Sequence, residues 1–196
     1  MVGLLDYVQR LIGIPENMSN DPAAQAVMGI PQPQRKPSGL LGMGAPQPTV
    51  YNNPGNVERN QDWAGMVSGG YGSNDRFAIF DSPQMGLRAL MRDAQTKIKN
   101  EKGDLRKMIS RYAPRSENPT ERYYNYVRSK VGKDKVTMKD LPNIVKGIIE
   151  FENKPGSALS NMYLKPEIFS EALNLSKKSM PKGTSLTKAR QMVRKK

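Results

Sequence analysis

Asp140-Leu141-Pro142-Asn143-Ile144-Val145-Lys146-Gly147-Ile148-Ile149-Glu150-Phe151-Glu152-Asn153 is the stretch on which the fold turns. Ile144, Val145, Ile148 and Ile149 recur at the spacing of one helix face. Asp140 ahead of Pro142 reads as the helix start. Glu152 stands four residues after Ile148 and seven after Val145, so it projects from the apolar side. Glu150 lies off that stripe and is expected to face water. A carboxyl set among Ile and Phe side chains has its charged form disfavoured, so its pKa rises. A general acid for glycoside cleavage needs that state near neutral pH. The plainer alternative is that Glu152 pairs with an Arg of a neighbouring helix, or caps a turn.

Upstream, three more helices carry start signals. Ser82-Pro83 opens one to about Lys99, with Leu87, Leu90, Met91, Ala94 and Ile98 inside. Asp104 opens a short one with Leu105, Met108, Ile109 and Tyr112 inside, ended by Pro114. Asn118-Pro119-Thr120-Glu121 begins the third, with Asn118 as cap. It carries Tyr123, Tyr124, Val127 and Val131, and Gly132 closes it. Before these helices, Arg76-Phe77-Ala78-Ile79-Phe80 alternates as a short strand, with Phe77, Ile79 and the Trp63 ring expected on one face. Gly69-Gly70-Tyr71-Gly72 reads as a flexible turn; no Lys-Ser/Thr follows it, so it is no phosphate cradle. The fold class is mostly α (α+β), a small helical domain with a minor β element.

Composition narrows the chemistry. The 196 residues include no Cys and no His. Disulfides, thiol nucleophiles, serine–histidine triads and HExxH zinc sites are therefore excluded. Carboxylates, Lys, Tyr or an ion must do any catalysis. No zinc or calcium spacing appears, and no metal or cofactor is expected. Met1 to Gly13 lacks the basic and apolar regions of a secretory signal. No stretch approaches the roughly 18 apolar residues of a membrane span. A soluble protein is expected.

Three regions follow from the composition. Residues 1–50 hold seven Pro and six Gly and no net charge. They read as an extended arm, unable to bury enough apolar area to offset their ordering entropy. Leu4, Leu5, Val8, Leu11 and Ile12 mark one short amphipathic helix at its start, suited to docking on its own domain or a neighbouring subunit. Met28-Gly29-Ile30-Pro31-Gln32-Pro33 recurs as Met43-Gly44-Ala45-Pro46-Gln47-Pro48, either a pair of docking copies or a plain Pro-rich linker. Residues 51–155 form the folded unit, with 19 basic and 13 acidic residues, net +6. Residues 156–196 hold nine basic and two acidic residues, net +7. There Pro166 to Leu175 reads as one more short helix, with Ile168, Phe169 and Ala172 on one side. Beyond Ser176 a mobile basic end is expected. Lys177, Lys178, Lys182, Lys188, Arg190, Arg194, Lys195 and Lys196 are its candidates for touching nucleic acid or an acidic partner.

Further site candidates cluster in Arg111-Tyr112-Ala113-Pro114-Arg115-Ser116-Glu117-Asn118, a corner between two helices. It serves either as a structural tie or as a seat for a saccharide or phosphate. Trp63, Phe77, Phe80, Tyr123 and Tyr124 suit a hydrophobic core better than a sugar platform. Asp62, Asp75, Asp81 and Glu117 are the carboxylates available to partner Glu152.

Read in order, the motifs resemble a family. They are Asn53-Pro54-Gly55-Asn56, Trp63-Ala64-Gly65, Phe77 to Phe80, Gly86-Leu87-Arg88-Ala89-Leu90, Ile109 to Pro114, Glu117-Asn118-Pro119-Thr120 with Tyr123, and Ile148 to Asn153. This order resembles a module of tailed-phage virion proteins, over about residues 52–154. The resemblance implies a virion structural component, and a layout similar to the lysozyme-like peptidoglycan-cleaving superfamily with segments permuted. It puts the catalytic acid on Glu152. The binding residues expected around it are Trp63, Arg111, Glu117, Asn118, Tyr123 and Asn153. Three positions depart from the pattern: Tyr112 stands for a Trp, Arg115 for a Pro, and the Gly after Asn153 is delayed to Gly156. Three functions follow as expectations. One is a virion component docked on capsid, portal or tail subunits through residues 1–50. The others are a virion-carried peptidoglycan glycoside hydrolase or lytic transglycosylase, and an internal protein touching packaged DNA. The protein would be made in the host cytoplasm and carried in the virion.

Overall fold

A computed structural model describes residues 51–71, 75–116 and 119–194. The expected arm, its amphipathic helix and its repeat lie outside the described residues, as do Glu117, Asn118, Lys195 and Lys196. Among the described residues, two strands, β1 (Met66–Tyr71) and β2 (Phe77–Phe80), are followed by seven α-helices. These are α1 (Pro83–Asn100), α2 (Leu105–Tyr112), α3 (Thr120–Val131), α4 (Leu141–Asn153), α5 (Ala158–Tyr163), α6 (Pro166–Ser176) and α7 (Leu186–Arg194). The mostly α reading with a small β element holds.

Local chemistry sets the helix ends as expected in most places. The Ser82 hydroxyl accepts from the Met85 amide with Pro83 in the first turn, and Asp104 accepts from the Lys107 amide. Gly132, at φ 81°, ends α3 in the left-handed region. The start of α3 differs: the helix begins at Thr120 with Pro119 at the cap position, and Asn118 lies outside the described residues. The Thr120 hydroxyl instead donates to the Ala113 carbonyl at 2.6 Å, tying α3 to the end of α2.

The strands correct two expectations. β1 and β2 pair antiparallel, with Gly70 opposite Ala78 and Tyr71 opposite Phe77. Gly69-Gly70-Tyr71 is thus strand rather than turn. In β2 the buried residues are Ala78 and Phe80, while Phe77 and Ile79 are half-buried. The parity is opposite to the expectation, because the core takes the small Ala78 and the larger Phe80. A strand's two faces alternate strictly, so one wrong residue inverts the whole set.

Segment 51–57 closes over β2 and α1. The amides of Ala78 and Phe80 donate to the carbonyls of Val57 (2.9 Å) and Tyr51 (3.0 Å). Asn53 Nδ2 donates to the carbonyls of Val57 and Ala78, at 2.9 Å each. Two glycines permit this approach. A Cβ on Gly86 would lie 1.5 Å from the Asn52 carbonyl oxygen. One on Gly55 would lie 2.6 Å from the Leu90 side chain and 2.5 Å from the Tyr112 hydroxyl.

The core lies between α1, α3 and α4. Ile144, Val145, Ile148 and Ile149 of α4 are fully buried, as are Leu87, Leu90 and Met91 of α1. Each such side chain contributes about 1.5–3 kcal/mol. These side chains anchor α4 beneath the carboxyls of its last turn.

Contrary to the mobile end expected beyond Ser176, the basic C-terminal segment is folded as far as Arg194. It folds into α7, with Ala189 buried and Leu186 and Val193 packed on the core. α6 lies along α1. The buried Arg88 of α1 donates to the carbonyls of Leu175 (3.2 Å) and Lys178 (2.8 Å) at the end of α6. Burial, and Arg92 beside it, push its pKa down to about 10. Arg190 makes two bonds to Glu171 (2.6 and 2.9 Å), and the Leu186 amide donates to Asp81 at 3.2 Å. Paired cations and a buried Ala explain why charge counting misread the segment.

Candidate active site

Glu152 ends α4 half-buried. Its Oε1 lies 2.8 Å from the Tyr123 hydroxyl of α3, and its Oε2 accepts from Asn56 Nδ2 at 2.9 Å. Neither partner is an Arg, so the ion-pair alternative fails. Burial pushes the carboxyl above its ordinary pKa, and these two hydrogen bonds offset that only in part. Tyr123 is fully buried, and burial, followed by the neighbouring Glu152, holds its phenol well above the usual value. It therefore stays protonated.

The next residue strengthens the same corner. Asn153 Nδ2 donates to the carbonyls of Pro54 (2.7 Å) and Ile149 (2.9 Å). The Tyr112 hydroxyl donates to the Gly55 carbonyl. Tyr112 and Tyr123 meet edge to face, with centroids 5.9 Å apart. Phe151 stacks on Tyr123 at 4.0 Å, and Tyr126 tilts against Phe151 at 5.8 Å. Segment 53–56 and the ends of α2 and α4 thus converge on Tyr123 and Glu152.

Two residues earlier, Glu150 behaves differently and corrects its expected place. It is buried, not exposed to water. Its Oε2 accepts from Lys130 Nζ (2.7 Å) and from the Tyr126 hydroxyl (3.0 Å). Burial alone would raise its pKa. The bonds from Lys130 and Tyr126 outweigh that and leave it below the usual value.

Of the expected binding residues, Tyr123 and Asn153 join Glu152. Trp63 is buried, and its Nε1 donates to the Glu58 carbonyl at 2.8 Å, which makes it a core residue of the β end. Arg111 is exposed and pairs with Glu101 at 3.3 Å. Glu117 and Asn118 are outside the described residues. Asn56 and Phe151 are not among the expected site residues, and Tyr112 is expected only as part of the 111–118 corner. The one sequence signal for Asn56 was its place closing Asn53-Pro54-Gly55-Asn56.

Of the other carboxylates expected as partners of Glu152, two are engaged elsewhere, and Glu117 lies outside the described residues. Asp62 pairs with Lys182 at 2.6 Å, and Asp81 accepts from Ser82 and the Leu186 amide. Asp75 is exposed. Among the C-terminal cations, Lys178 Nζ donates to the Met192 carbonyl at 2.8 Å, and Lys182 and Arg190 are in ion pairs. Lys177, Lys188 and Arg194 are exposed. Among the described residues, no acidic cluster could hold a metal ion, and no helix is long and apolar enough to cross a membrane.

No family model matches the chain. Protein P5 of Pseudoalteromonas phage PM2 is 31% identical to it over 123 residues, which make up 60% of this chain and 74% of that protein. The chain belongs to the family of phage protein P5. The coarse resemblance to phage proteins is thereby established. The site convergence described above is the feature of this P5-family chain that bears on chemistry.

Proposed function

We propose that the chain is a phage virion protein whose helical domain cleaves the glycan strands of peptidoglycan, with Glu152 as general acid. The observation that carries this reading is the environment of one carboxyl. Glu152 is half-buried at the end of a rigid apolar helix, contacts only neutral donors, and has a raised pKa. A carboxylic acid in that state keeps its proton closer to neutral pH than an exposed one. It would pass that proton to the glycosidic oxygen as the C–O bond breaks. No second carboxylate contacts Glu152 among the described residues, and on this reading the glycan's own N-acetyl oxygen takes that part and attacks the anomeric carbon. An incoming hydroxyl then bonds to the anomeric carbon as the N-acetyl oxygen leaves it, and gives its proton to the Glu152 carboxylate.

A second reading keeps the virion role without catalysis. Its support is that both Glu152 oxygens are already engaged by groups of the same chain, next to an Asn153 that also grips segment 54. On that reading Glu152 is a clamp. Zymography on purified peptidoglycan separates the two. The native chain clears the gel under the first reading, and Glu152→Gln reduces clearing by about 10²–10⁴-fold. No clearing by the native chain at any pH leaves the clamp. The virion part is tested by deleting residues 1–50, which should abolish incorporation into particles while leaving the helical domain soluble.

A further inference from the structure

α6 lies along α1 and ends beside a stripe of cations. Arg88, Arg92 and Lys99 follow one another at four and seven residues, so they share one face of α1. Arg88 donates to the carbonyls of Leu175 (3.2 Å) and Lys178 (2.8 Å), and Arg92 Nη1 donates to the Ser176 carbonyl at 3.4 Å. Lys177 and Lys178 continue the chain from that point, and Lys178 Nζ reaches the Met192 carbonyl of α7 at 2.8 Å. Three helices thus gather cations at one seam. From Ala172 to Arg194 the sequence holds six Lys and Arg and no Asp or Glu.

These cations exceed what the fold needs. A helix C-terminus carries about half a negative charge, and Arg88 already binds two of the carbonyls there. Arg92 adds one long contact to that end and one to Gln95 Oε1 at 3.3 Å, both through Nη1. Its Nε and Nη2 meet no partner among the described residues, and neither do the ammonium groups of the exposed Lys99 and Lys177. The acids of the flanking turns are committed elsewhere: Asp93 to Lys97 (2.5 Å), Glu171 to Arg190 (2.6 Å) and Glu101 to Arg111 (3.3 Å). Burial, followed by the positive charge of Arg92, pushes Arg88 down to about 10. The seam therefore holds like charges side by side with no carboxylate of the chain to balance them.

We propose that this seam, with Arg92, Lys99, Lys177 and Lys178 as its contacts, binds the phosphate backbone of duplex DNA. The Nε and Nη2 edge of Arg92 offers the paired donors that fit a phosphate, and the three Lys add point charges around it. Arg92 and Lys99 stand about 10 Å apart along α1, a length over which a duplex carries about six phosphates. A bound phosphate also relieves the repulsion between Arg88 and Arg92. Lys177 and Lys178 are among the cations expected from the sequence to touch nucleic acid; Arg92 and Lys99 join them only through the fold. A bilayer fits less well, because Leu186 and Val193 of α7 pack inward on the core. The large apolar residues exposed among the described residues are Val67 and Met138, neither of them in α1, α6 or α7. Peptidoglycan fits less well too, because its carboxylates stand singly on its peptides, whereas a row of surplus cations matches a dense row of phosphates. Contacts to phosphate alone read no sequence. The seam shares no residue with the Glu152 corner, so it stands apart from the proposed cleavage.

Fluorescence anisotropy of a short labelled duplex, titrated with the full chain at several salt concentrations, tests this. Two unrelated duplex sequences should bind alike. Four phosphate contacts give a slope of log affinity against log salt of about −3.6, a loss of about 10²-fold between about 50 and 200 mM salt. Lys99→Gln combined with Lys177→Gln removes two contacts from exposed positions, where folding is not at stake. It should halve the slope and leave a loss of only about tenfold over the same range. Lys135→Gln combined with Lys139→Gln removes the same charge from exposed positions between α3 and α4, and should keep the native slope. A native chain that binds no duplex at about 50 mM salt overturns the proposal. So do equal losses of slope in the two double variants, the mark of net charge acting at long range. So does a Lys99/Lys177 variant that keeps the native DNA slope but loses association with vesicles of anionic phospholipid or with peptidoglycan sacculi, which would give the seam to one of those surfaces.

Discussion

The two flanks of the last turn of α4 each carry a glutamate, and the surroundings of the two differ in one respect. On the Glu150 flank, α3 supplies an ammonium, Lys130, together with the Tyr126 hydroxyl. On the Glu152 flank, α3 and segment 53–56 supply only the neutral donors Tyr123 and Asn56. An ammonium favours the charged carboxylate far more than an amide or phenol does. Glu150 is accordingly held below its ordinary pKa and Glu152 above it. Desolvation raises both carboxyls, and only on the Glu150 flank does a charged partner outweigh it.

The largest effect expected from breaking this contrast is on activity. Glu152→Gln removes the proton donor and should cut glycan cleavage by about 10²–10⁴-fold. Glu150→Gln should leave cleavage per folded molecule within about threefold, since its side chain faces Lys130 and Tyr126 rather than the Glu152 corner. Equal losses in both variants would show that the turn acts as a structural unit. A smaller effect, on stability, follows from Lys130→Met, which removes the countercharge and leaves Glu150 buried. A hydrogen bond to a charged group is worth about 1.5–3 kcal/mol. The Lys130 side chain is 34% exposed, so solvent screening reduces this to about 1–2 kcal/mol at pH 7. Urea unfolding measures it. Glu150's folded pKa lies below its unfolded value, so the lost stabilisation is one present above the unfolded pKa. The gap between native chain and variant should close as pH falls through the folded pKa.

Sequence alone carried the reading as far as single helices reach. The stripe Ile144, Val145, Ile148 and Ile149, the caps Ser82 and Asp104, and the projection of Glu152 from the apolar side all depend on residues within one or two turns. What remained hidden depends on partners distant in sequence. Glu150 is buried because Lys130 and Tyr126 of α3 receive it, and no periodicity in α4 records that. Asn56 reaches Glu152 across 96 positions, through a segment seated by Gly86. Arg88, read only as a motif residue, binds carbonyls at the end of α6, 87 and 90 positions away. The parity of β2 was settled by which side chains the core had room for, a packing question that alternation cannot answer.

The smallest effect, and the sharpest for the comparison, concerns the stability of Glu152→Gln. The folded pKa of Glu152 lies above the unfolded one. At pH below the unfolded value, both states are protonated and the group costs nothing. As pH rises, the unfolded chain releases its proton first, so stability falls until the folded pKa is passed, and the loss is complete above it. Gln cannot ionise, and its amide can donate toward Tyr123 and accept from Asn56. Glu152→Gln should therefore match the native chain in acid and exceed it by about 0.5–2 kcal/mol near pH 8, the usual gain when a strained functional group is neutralised. Thermal melts across pH measure the difference. Glu150→Gln should move oppositely, losing stability near pH 8, because its ionised form is the one the fold holds. A Glu152→Gln variant less stable than the native chain near pH 8 would mean that the fold holds both carboxylates charged. Glu152 would then be a clamp, and the contrast between the two flanks would disappear.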